Sequence, residues 1–279
     1  MPIHDLSYRH WSGEWTSHPY RWWVITRQGI GLLAQKKRFI VLMILSALPF
    51  LVRTVMIYLS TVVGRTGLLR VDASFFEQFL TQQRFFTFII AIYAGAGLIA
   101  DDLKANALQI YLSKPITRQD YMVGKLGVLV FFLALPTLVP GILLFILAVI
   151  FESNATFLQE NFWVLGSITG YSLAIIFTNA LVVLALSSLT RSKRFAGINF
   201  AAIFFFSEIL YGVLSGILHT RRVVWVSLWD NIRLVGDFFF GLTPREQSPT
   251  WLSALILTAI ILAGALIVYR RVQAVEVVK

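Results

Sequence analysis

Long apolar runs alternate with short polar segments along the chain, and this alternation predicts a bundle of membrane-spanning helices. A helix needs roughly 20 apolar residues to cross a hydrocarbon core of roughly 30 Å, and six runs suit that length. The second run is the shortest, and we expect it to borrow a turn from residues 81–84. The predicted spans are residues 39–63, 85–100, 126–151, 162–190, 195–218 and 251–269.

A stretch before the first span has helical periodicity and predicts an amphipathic helix in the headgroup layer. A basic cluster, Lys36 to Arg38, closes it. The chain thus divides into a cytoplasmic N-terminal segment (1–38), a six-span transmembrane domain (39–269) and a cytoplasmic tail (270–279). The apolar face of the predicted helix carries Trp22, Ile25, Gly29, Leu32 and Leu33.

Residues 225–239, between the fifth and sixth spans, show a second amphipathic pattern. Three charges on one face, Asp230, Arg233 and Asp237, would each cost roughly 2.5 to 3.5 kcal/mol at mid-membrane, so we expect an outer interfacial helix rather than a seventh crossing. A gating role is the alternative for either amphipathic helix. The apolar stripe of this second helix carries Trp225, Leu228, Ile232, Val235 and Phe239.

The composition supports an all-α integral membrane protein, because 57% of the residues are hydrophobic and only 14% are charged. The chain has no cysteine, which excludes disulfides and thiolate metal sites. The net charge of +10 is carried beside apolar runs, which favours anionic lipids over nucleic acid as partners. We expect no cleavable signal peptide, because the first apolar run is too long for one.

The placement of Lys and Arg predicts the orientation, because short loops rich in these residues stay in the cytoplasm. Sixteen of them lie on one side of the predicted membrane and seven on the other, and all seven lysines belong to the larger group. Both termini and residues 101–125 are therefore predicted to be cytoplasmic. Residues 64–84, 152–161 and 219–250 are predicted to face outward.

The sequence offers little catalytic chemistry. It contains no Gly-x-x-x-x-Gly-Lys-Ser/Thr motif, so we expect neither an ATP-binding P-loop nor an enzyme in this chain. Its four histidines lack the spacing of metal ligands, and we expect no metal or other cofactor.

Two charges, Arg53 and Glu208, are predicted to lie deep in the membrane. Arg53 is about 21 Å and Glu208 about 20 Å from the cytoplasmic ends of their spans, at about 1.5 Å per residue. Because isolated charges in lipid are costly, we expect an intramembrane ion pair between them. The alternative is that Arg53 reaches the outer headgroups while Glu208 is protonated.

Residues 101–125 predict a cytoplasmic elbow of two helices between the second and third spans. Asp101 and Asp102 suit the first turn of a helix, and Pro115 should end that helix. Thr117 and Asp120 then form a capping box for a second helix that carries Arg118, Gln119 and Tyr121. Such an elbow would transmit a push to two spans at once, although an ordinary loop is the alternative.

The order of these parts resembles the ABC-2 family of ABC-transporter permeases. The matching features are the acidic pair, the following helix, the Leu-Ser-x-Pro-x-x-Arg motif of residues 112–118, and the closing Gly124-Lys125. One departure is Asn106-Ala107-Leu108, where family members often carry Gly-Thr-Leu.

The resemblance implies a permease subunit of an ATP-driven exporter in a bacterial or archaeal cytoplasmic (inner) membrane. It implies a separate ABC ATPase subunit, which binds ATP and Mg²⁺ and contacts residues 101–124, and a second permease copy or a homologous permease. The substrate is not indicated. A self-contained secondary transporter or channel and a non-transporting scaffold are the alternatives. The residues predicted to couple to the ATPase are Asp101, Asp102, Pro115, Thr117, Arg118, Asp120 and Tyr121.

Overall fold

The computed structural model describes residues 20–62, 71–107, 116–152, 155–244 and 248–272, and these residues form helices and their connections. A 3-10 helix, Arg221–Val226, precedes α10. The α-helices are α1 (Arg21–Ala34), α2 (Lys37–Ser46), α3 (Leu48–Val62), α4 (Ala73–Gly95), α5 (Ala100–Lys104), α6 (Arg118–Ala134), α7 (Leu138–Glu152), α8 (Ala155–Leu189), α9 (Lys193–Leu218), α10 (Leu228–Phe239) and α11 (Thr250–Arg271).

Six helical segments are long and apolar enough to cross a membrane, as predicted. The second begins at Ala73, so α4 extends beyond the predicted run by more than the one turn expected. The spans are α2 with α3 (Lys37–Ser60), α4 with α5 (Ala73–Lys104), α6 with α7 (Arg118–Phe151), α8 (Gln159–Leu189), α9 (Lys193–Leu218) and α11 (Thr250–Arg271).

The first and third spans are broken near prolines. Pro49 lies just after the break at Ala47 between α2 and α3, where the side-chain amide of Gln83 donates to the Ser46 carbonyl at 3.0 Å. Pro136 lies in the three-residue break between α6 and α7. Each proline removes a backbone donor from its helix, so the breaks have a covalent cause.

The long helix α8 is the centre of the bundle. It contacts α4, α5, α6, α7, α9, α10 and α11. In its most apolar stretch 72% of the residues are buried, against 17% in the first span and 6% in α9. The first span and α9 therefore present their apolar side chains outward, whereas α8 presents its side chains to other helices.

The N-terminal helix α1 lies against α6. Thr26 is buried and its hydroxyl donates to the Gly124 carbonyl at 3.0 Å. A Cβ added at Gly124 would lie 2.7 Å from the Ile25 Cβ, and one at Gly29 would lie 2.5 Å from Val128, so glycines permit the close approach. Part of the predicted apolar face therefore contacts protein. The depth of α1 in the headgroup layer stays a prediction.

Helix α10 buries two of the three charges that the sequence assigns to one of its faces. Asp230 and Asp237 are 8% and 1% exposed, and Asp230 forms an ion pair with Arg233 at 3.1 Å. The helix packs on α4, α8, α9 and α11, so both of its faces meet protein. At 12 residues it is about 18 Å long, too short for the seventh crossing that the sequence argued against.

The structure does not bring Arg53 and Glu208 together, and the predicted ion pair is wrong. The Arg53 guanidinium lies 4.7 Å from the centre of the Phe75 ring on α4. Glu208 instead accepts a hydrogen bond of 2.7 Å from the Ser227 hydroxyl. Equal depth in the membrane does not determine which way two helices face, and here the two charges face different neighbours.

Candidate functional site

The turn between α4 and α5 is held by one hydroxyl on α8. Ser187 Oγ accepts hydrogen bonds from the backbone N–H groups of Ile99, at 3.1 Å, and Ala100, at 2.9 Å. The same hydroxyl donates to the Ala96 carbonyl at 2.8 Å. These are backbone groups that a helix end leaves without intrahelical partners, so Ser187 fixes the angle between α4 and α5.

Helix α5 is short and acidic at its start. Asp101 and Asp102 lie in its first turn, as predicted, where the helix dipole favours carboxylates. Helix α5 ends at Lys104, and Pro115, where the sequence predicts the end of a helix, lies outside the described residues. Asn106 follows with φ = 53°. Glycine adopts this left-handed conformation freely and asparagine tolerates it better than most residues, which gives a physical reason for either residue there.

Helix α6 begins with the predicted capping box. The Thr117 hydroxyl accepts from the Asp120 N–H at 3.1 Å, and the Asp120 carboxylate accepts from the Thr117 N–H at 3.0 Å. The helix that starts at Arg118 runs without interruption to Ala134. The predicted second short helix is therefore the first part of the third span.

The carboxylate of Asp102 joins α5 to α6. Its Oδ2 atom lies 2.7 Å from Lys125 Nζ and accepts a hydrogen bond of 2.7 Å from the Tyr121 hydroxyl. The Lys125 ammonium also lies 5.3 Å from the centre of the Tyr121 ring. Tyr121 is fully buried and the Lys125 side chain is 11% exposed. We call Asp102, Tyr121, Lys125 and Ser187 the α5 junction.

The α5 junction continues into α1, because Gly124 precedes Lys125. The resemblance motif Gly124-Lys125 therefore has a structural reason at both positions: the glycine admits α1, and the lysine binds Asp102. A displacement of α5 acts directly on α6 through this ion pair, and α1 is attached to the same turn of α6 by the hydrogen bond from Thr26.

The predicted coupling residues fall into two groups. Asp101, Thr117 and Arg118 are exposed, and Asp120 is partly so, which leaves them accessible to a partner. Asp102 and Tyr121, by contrast, bond to each other inside the chain. Lys125 and Ser187 were not predicted. Lys125 was part of the recognised motif, whereas nothing distinguishes Ser187 from the other serines of the apolar runs.

A second polar cluster, which was not predicted from the sequence, lies near the other end of α4. Thr81 Oγ1 donates to the buried Glu77 carboxylate at 2.5 Å and lies 3.0 Å from the Tyr171 hydroxyl. Arg84 Nη1 donates to the Trp229 carbonyl. We call Glu77, Thr81, Arg84 and Tyr171 the α10 junction, since Tyr171 packs on Gly236 of α10. The spacing i, i+4, i+7 of the three α4 residues was the available signal.

A family model described as ABC-2 family transporter protein matches residues 33–274, which is most of the chain and includes both junctions. The resemblance drawn from residues 95–125 is thereby confirmed. A comparison with curated proteins finds no match.

Proposed function

Because the chain belongs to the ABC-2 family of transporter proteins, we propose that its α5 junction receives the mechanical work of ATP hydrolysis from a partner ABC ATPase subunit and that the complex exports its substrate. The chain is a multi-pass membrane protein and a permease subunit of an ABC transporter. Membership of the family implies the ATPase partner. The direction of transport and the route by which the ATPase couples to this chain are the proposed part.

One observation carries the coupling proposal: the Asp102 carboxylate contacts both Tyr121 and Lys125 at 2.7 Å. This contact ties the end of the second span to the start of the third, so a push on the intervening segment reaches both spans. An ion pair with little exposure is costly to separate. The link therefore stays closed while α5 and α6 move together.

The surface around this link supplies the contact with the ATPase. Asp101, Lys104 and Arg118 are exposed at the ends of α5 and α6, and their mixed charges suit a polar interface that forms and separates in each cycle. ATP and Mg²⁺ bind to the partner, since this sequence has no P-loop. The chain itself is proposed to have no enzymatic activity and no cofactor.

We further propose that two permeases, either two copies or this chain and a homologue, enclose the pathway. The outward-facing apolar surfaces of the first span and α9 support this arrangement, because these two spans are the least buried of the six. The complex is placed in a bacterial or archaeal cytoplasmic membrane with both termini cytoplasmic. The excess of Lys and Arg at the α5 end supports that orientation.

Site-specific crosslinking tests the coupling proposal. The chain has no cysteine, so Arg118→Cys introduces a single thiol at the exposed start of α6. In membranes that contain the co-expressed ABC ATPase subunit, a short thiol-to-amine crosslinker should join the two subunits. Arg222→Cys is the matched control, because Arg222 is also exposed but precedes α10.

A product from Arg222→Cys, or none from Arg118→Cys when both thiols react with maleimide, would contradict docking at the α5 junction. A functional readout complements the crosslink. Arg118→Glu should leave basal ATP hydrolysis intact and lower substrate-dependent transport at least about tenfold if the contact is worth about 1.4 kcal/mol. Normal transport by Arg118→Glu would mean that residues 101–125 act as an ordinary loop.

A further inference from the structure

A partly open cavity of about 810 Å³ lies beside the α5 junction, between α1, α4, α5 and α9. This volume is in the range of small-molecule sites. Lys125 and Asp102 form part of its wall, so whatever occupies the cavity lies next to the link between the second and third spans.

The mouth of the cavity is cationic. Lys36, Lys193 and Arg194 line it and are exposed. Two carboxylates also line it, but Asp102 is neutralised by Lys125 at 2.7 Å. Among the described residues that line the cavity, only Asp101 therefore opposes the three remaining cations, and the mouth keeps a positive balance. Helix α9 also begins at Lys193, which adds the positive end of its dipole.

Away from these cations the lining of the cavity is apolar, and several of its residues are exposed, among them Ile198 at 61%. Its lining includes Leu32, Tyr93, Ile198 and Ala201. Along α9, Ala201 lies eight residues beyond Lys193, which corresponds to about 12 Å into the span. Gly97 forms part of the wall without a side chain, and a Cβ there would lie 2.7 Å from the Asp101 carboxylate. Cations at the surface and hydrocarbon about 12 Å deeper match the two parts of a membrane lipid.

From this arrangement we infer that the cavity binds an anionic amphiphile, namely a membrane lipid whose phosphate lies between Lys36, Lys193 and Arg194 and whose acyl chain lies along Tyr93 and Ile198. The inference locates at one site the anionic-lipid contact that the overall charge predicts. It depends on the membrane placement of α9 and not on ATPase coupling. Evidence against the lipid site would therefore not contradict ATPase coupling, and evidence against coupling would not contradict the lipid site.

Native mass spectrometry of the purified chain in detergent tests this site. Dioleoyl phosphatidylglycerol should bind about tenfold or more tightly than dioleoyl phosphatidylcholine, since the three cations at the mouth attract its net negative charge. Glycerol 3-phosphate and dioleoylglycerol supply the headgroup and the chains alone. Each should bind more weakly than phosphatidylglycerol, and equal binding by either would overturn the assignment to an amphiphile.

The triple variant Lys36→Gln, Lys193→Gln, Arg194→Gln should lose the preference for phosphatidylglycerol, with binding about tenfold or more weaker. Unchanged binding would overturn the proposal. If the triple variant is not monodisperse, Lys36→Gln alone is used and should weaken binding several-fold, whereas no change would again contradict the site.

The control variant Lys37→Gln, Arg38→Gln, Arg191→Gln removes the same charge from neighbouring positions. These three side chains are exposed and do not line the cavity, so phosphatidylglycerol binding should stay at the unmodified level. An equal loss in the control would mean that the lipid responds to overall charge and not to this site. Lys193→Glu with Arg194→Glu should reverse the preference towards a cationic lipid with the same acyl chains.

Discussion

The α5 junction and the α10 junction place charged groups inside the same bundle but satisfy them in different ways. In the α5 junction, opposite charges meet directly at 2.7 Å between Asp102 and Lys125. In the α10 junction, Glu77 is held by a hydroxyl and Arg84 by backbone carbonyls, and among the described residues no ion pair joins those two. The junctions lie about 30 Å apart along α4 and α5.

This difference indicates which junction of the bundle is rigid and which can rearrange. A single ion pair with little exposure resists separation because both partners lose their compensation together. A set of hydrogen bonds spread over α4, α8 and the start of α10 is exchanged bond by bond. We therefore expect the α5 junction to transmit movement as a unit and the α10 junction to rearrange during the same movement.

The comparison first requires that the two junctions lie on opposite sides of the membrane. A membrane-impermeant maleimide should label Arg222→Cys in intact cells and should label Arg191→Cys only after permeabilisation. The expected contrast is all-or-none, because the thiol is either accessible from outside or not. Labelling of both variants from outside would refute the proposed orientation of the α5 end.

Removing the charge of Asp102 in the α5 junction should lower the free energy of unfolding more than any of the substitutions that follow. Asp102→Asn keeps the shape of the side chain but deprives Lys125 of its carboxylate, and we expect a loss of about 3 kcal/mol in unfolding free energy. Thermal unfolding of the purified protein, followed by tryptophan fluorescence, measures it. Asp101→Asn is the control, because the exposed Asp101 should change stability by no more than about 0.5 kcal/mol.

Glycine substitutions compare the two junctions sterically. A Cβ at Gly124 would lie 2.9 Å from the Trp22 carbonyl of the backbone, and one at Gly236 would lie 2.5 Å from the Tyr171 ring. Gly124→Ala and Gly236→Ala should each cost about 2 kcal/mol through overpacking. Gly31→Ala, which meets nothing within 4 Å, should instead stabilise α1 by up to about 1 kcal/mol. Stabilisation in all three variants would contradict the close packing.

Removing a hydroxyl group, in contrast to removing a charge, should destabilise the α10 junction more than the α5 junction. Thr81→Val removes the shared partner of Glu77 and Tyr171 and should cost about 1.5 kcal/mol, because two buried groups lose a bond. Tyr121→Phe leaves Asp102 with its ion pair and should cost about 1 kcal/mol. Thermal unfolding of both variants in one detergent tests the ranking. A larger loss for Tyr121→Phe would show that the hydroxyl, and not the ion pair, holds the α5 junction.

Part of the site could be predicted from residues that lie close together in the sequence. The capping box of Thr117 and Asp120 depends on residues three positions apart, so the sequence predicts it directly, and the structure confirms it. The break at Pro136 is equally local. The Asp102–Lys125 pair was not predictable in this way, because it depends on where the intervening chain returns α6 relative to α5.

Two features of the other end could not be predicted from the sequence, for one physical reason. Helical periodicity assigned Asp230 and Asp237 to one face of α10 correctly, but it does not say whether that face meets water or polar groups of other helices. Arg84 of α4 and Tyr171 of α8 supply polar groups to this helix, the first at the Trp229 carbonyl and the second against Gly236. In the same way, matched depth placed Arg53 and Glu208 at one level of the membrane without determining the rotation of their helices.

The contact between α1 and α6 has a consequence for the order of events during synthesis. Thr26 and its partner Gly124 are 98 residues apart, and at roughly 5 to 20 residues per second α1 emerges roughly 5 to 20 seconds before the surface that receives it. During that interval its residues Ile25 and Leu33, which are buried in the finished protein, have no intramolecular cover. The membrane surface is the nearest apolar phase available to them. Docking of α1 is therefore a late step of assembly, in which α1 packs on a third span that has already been inserted.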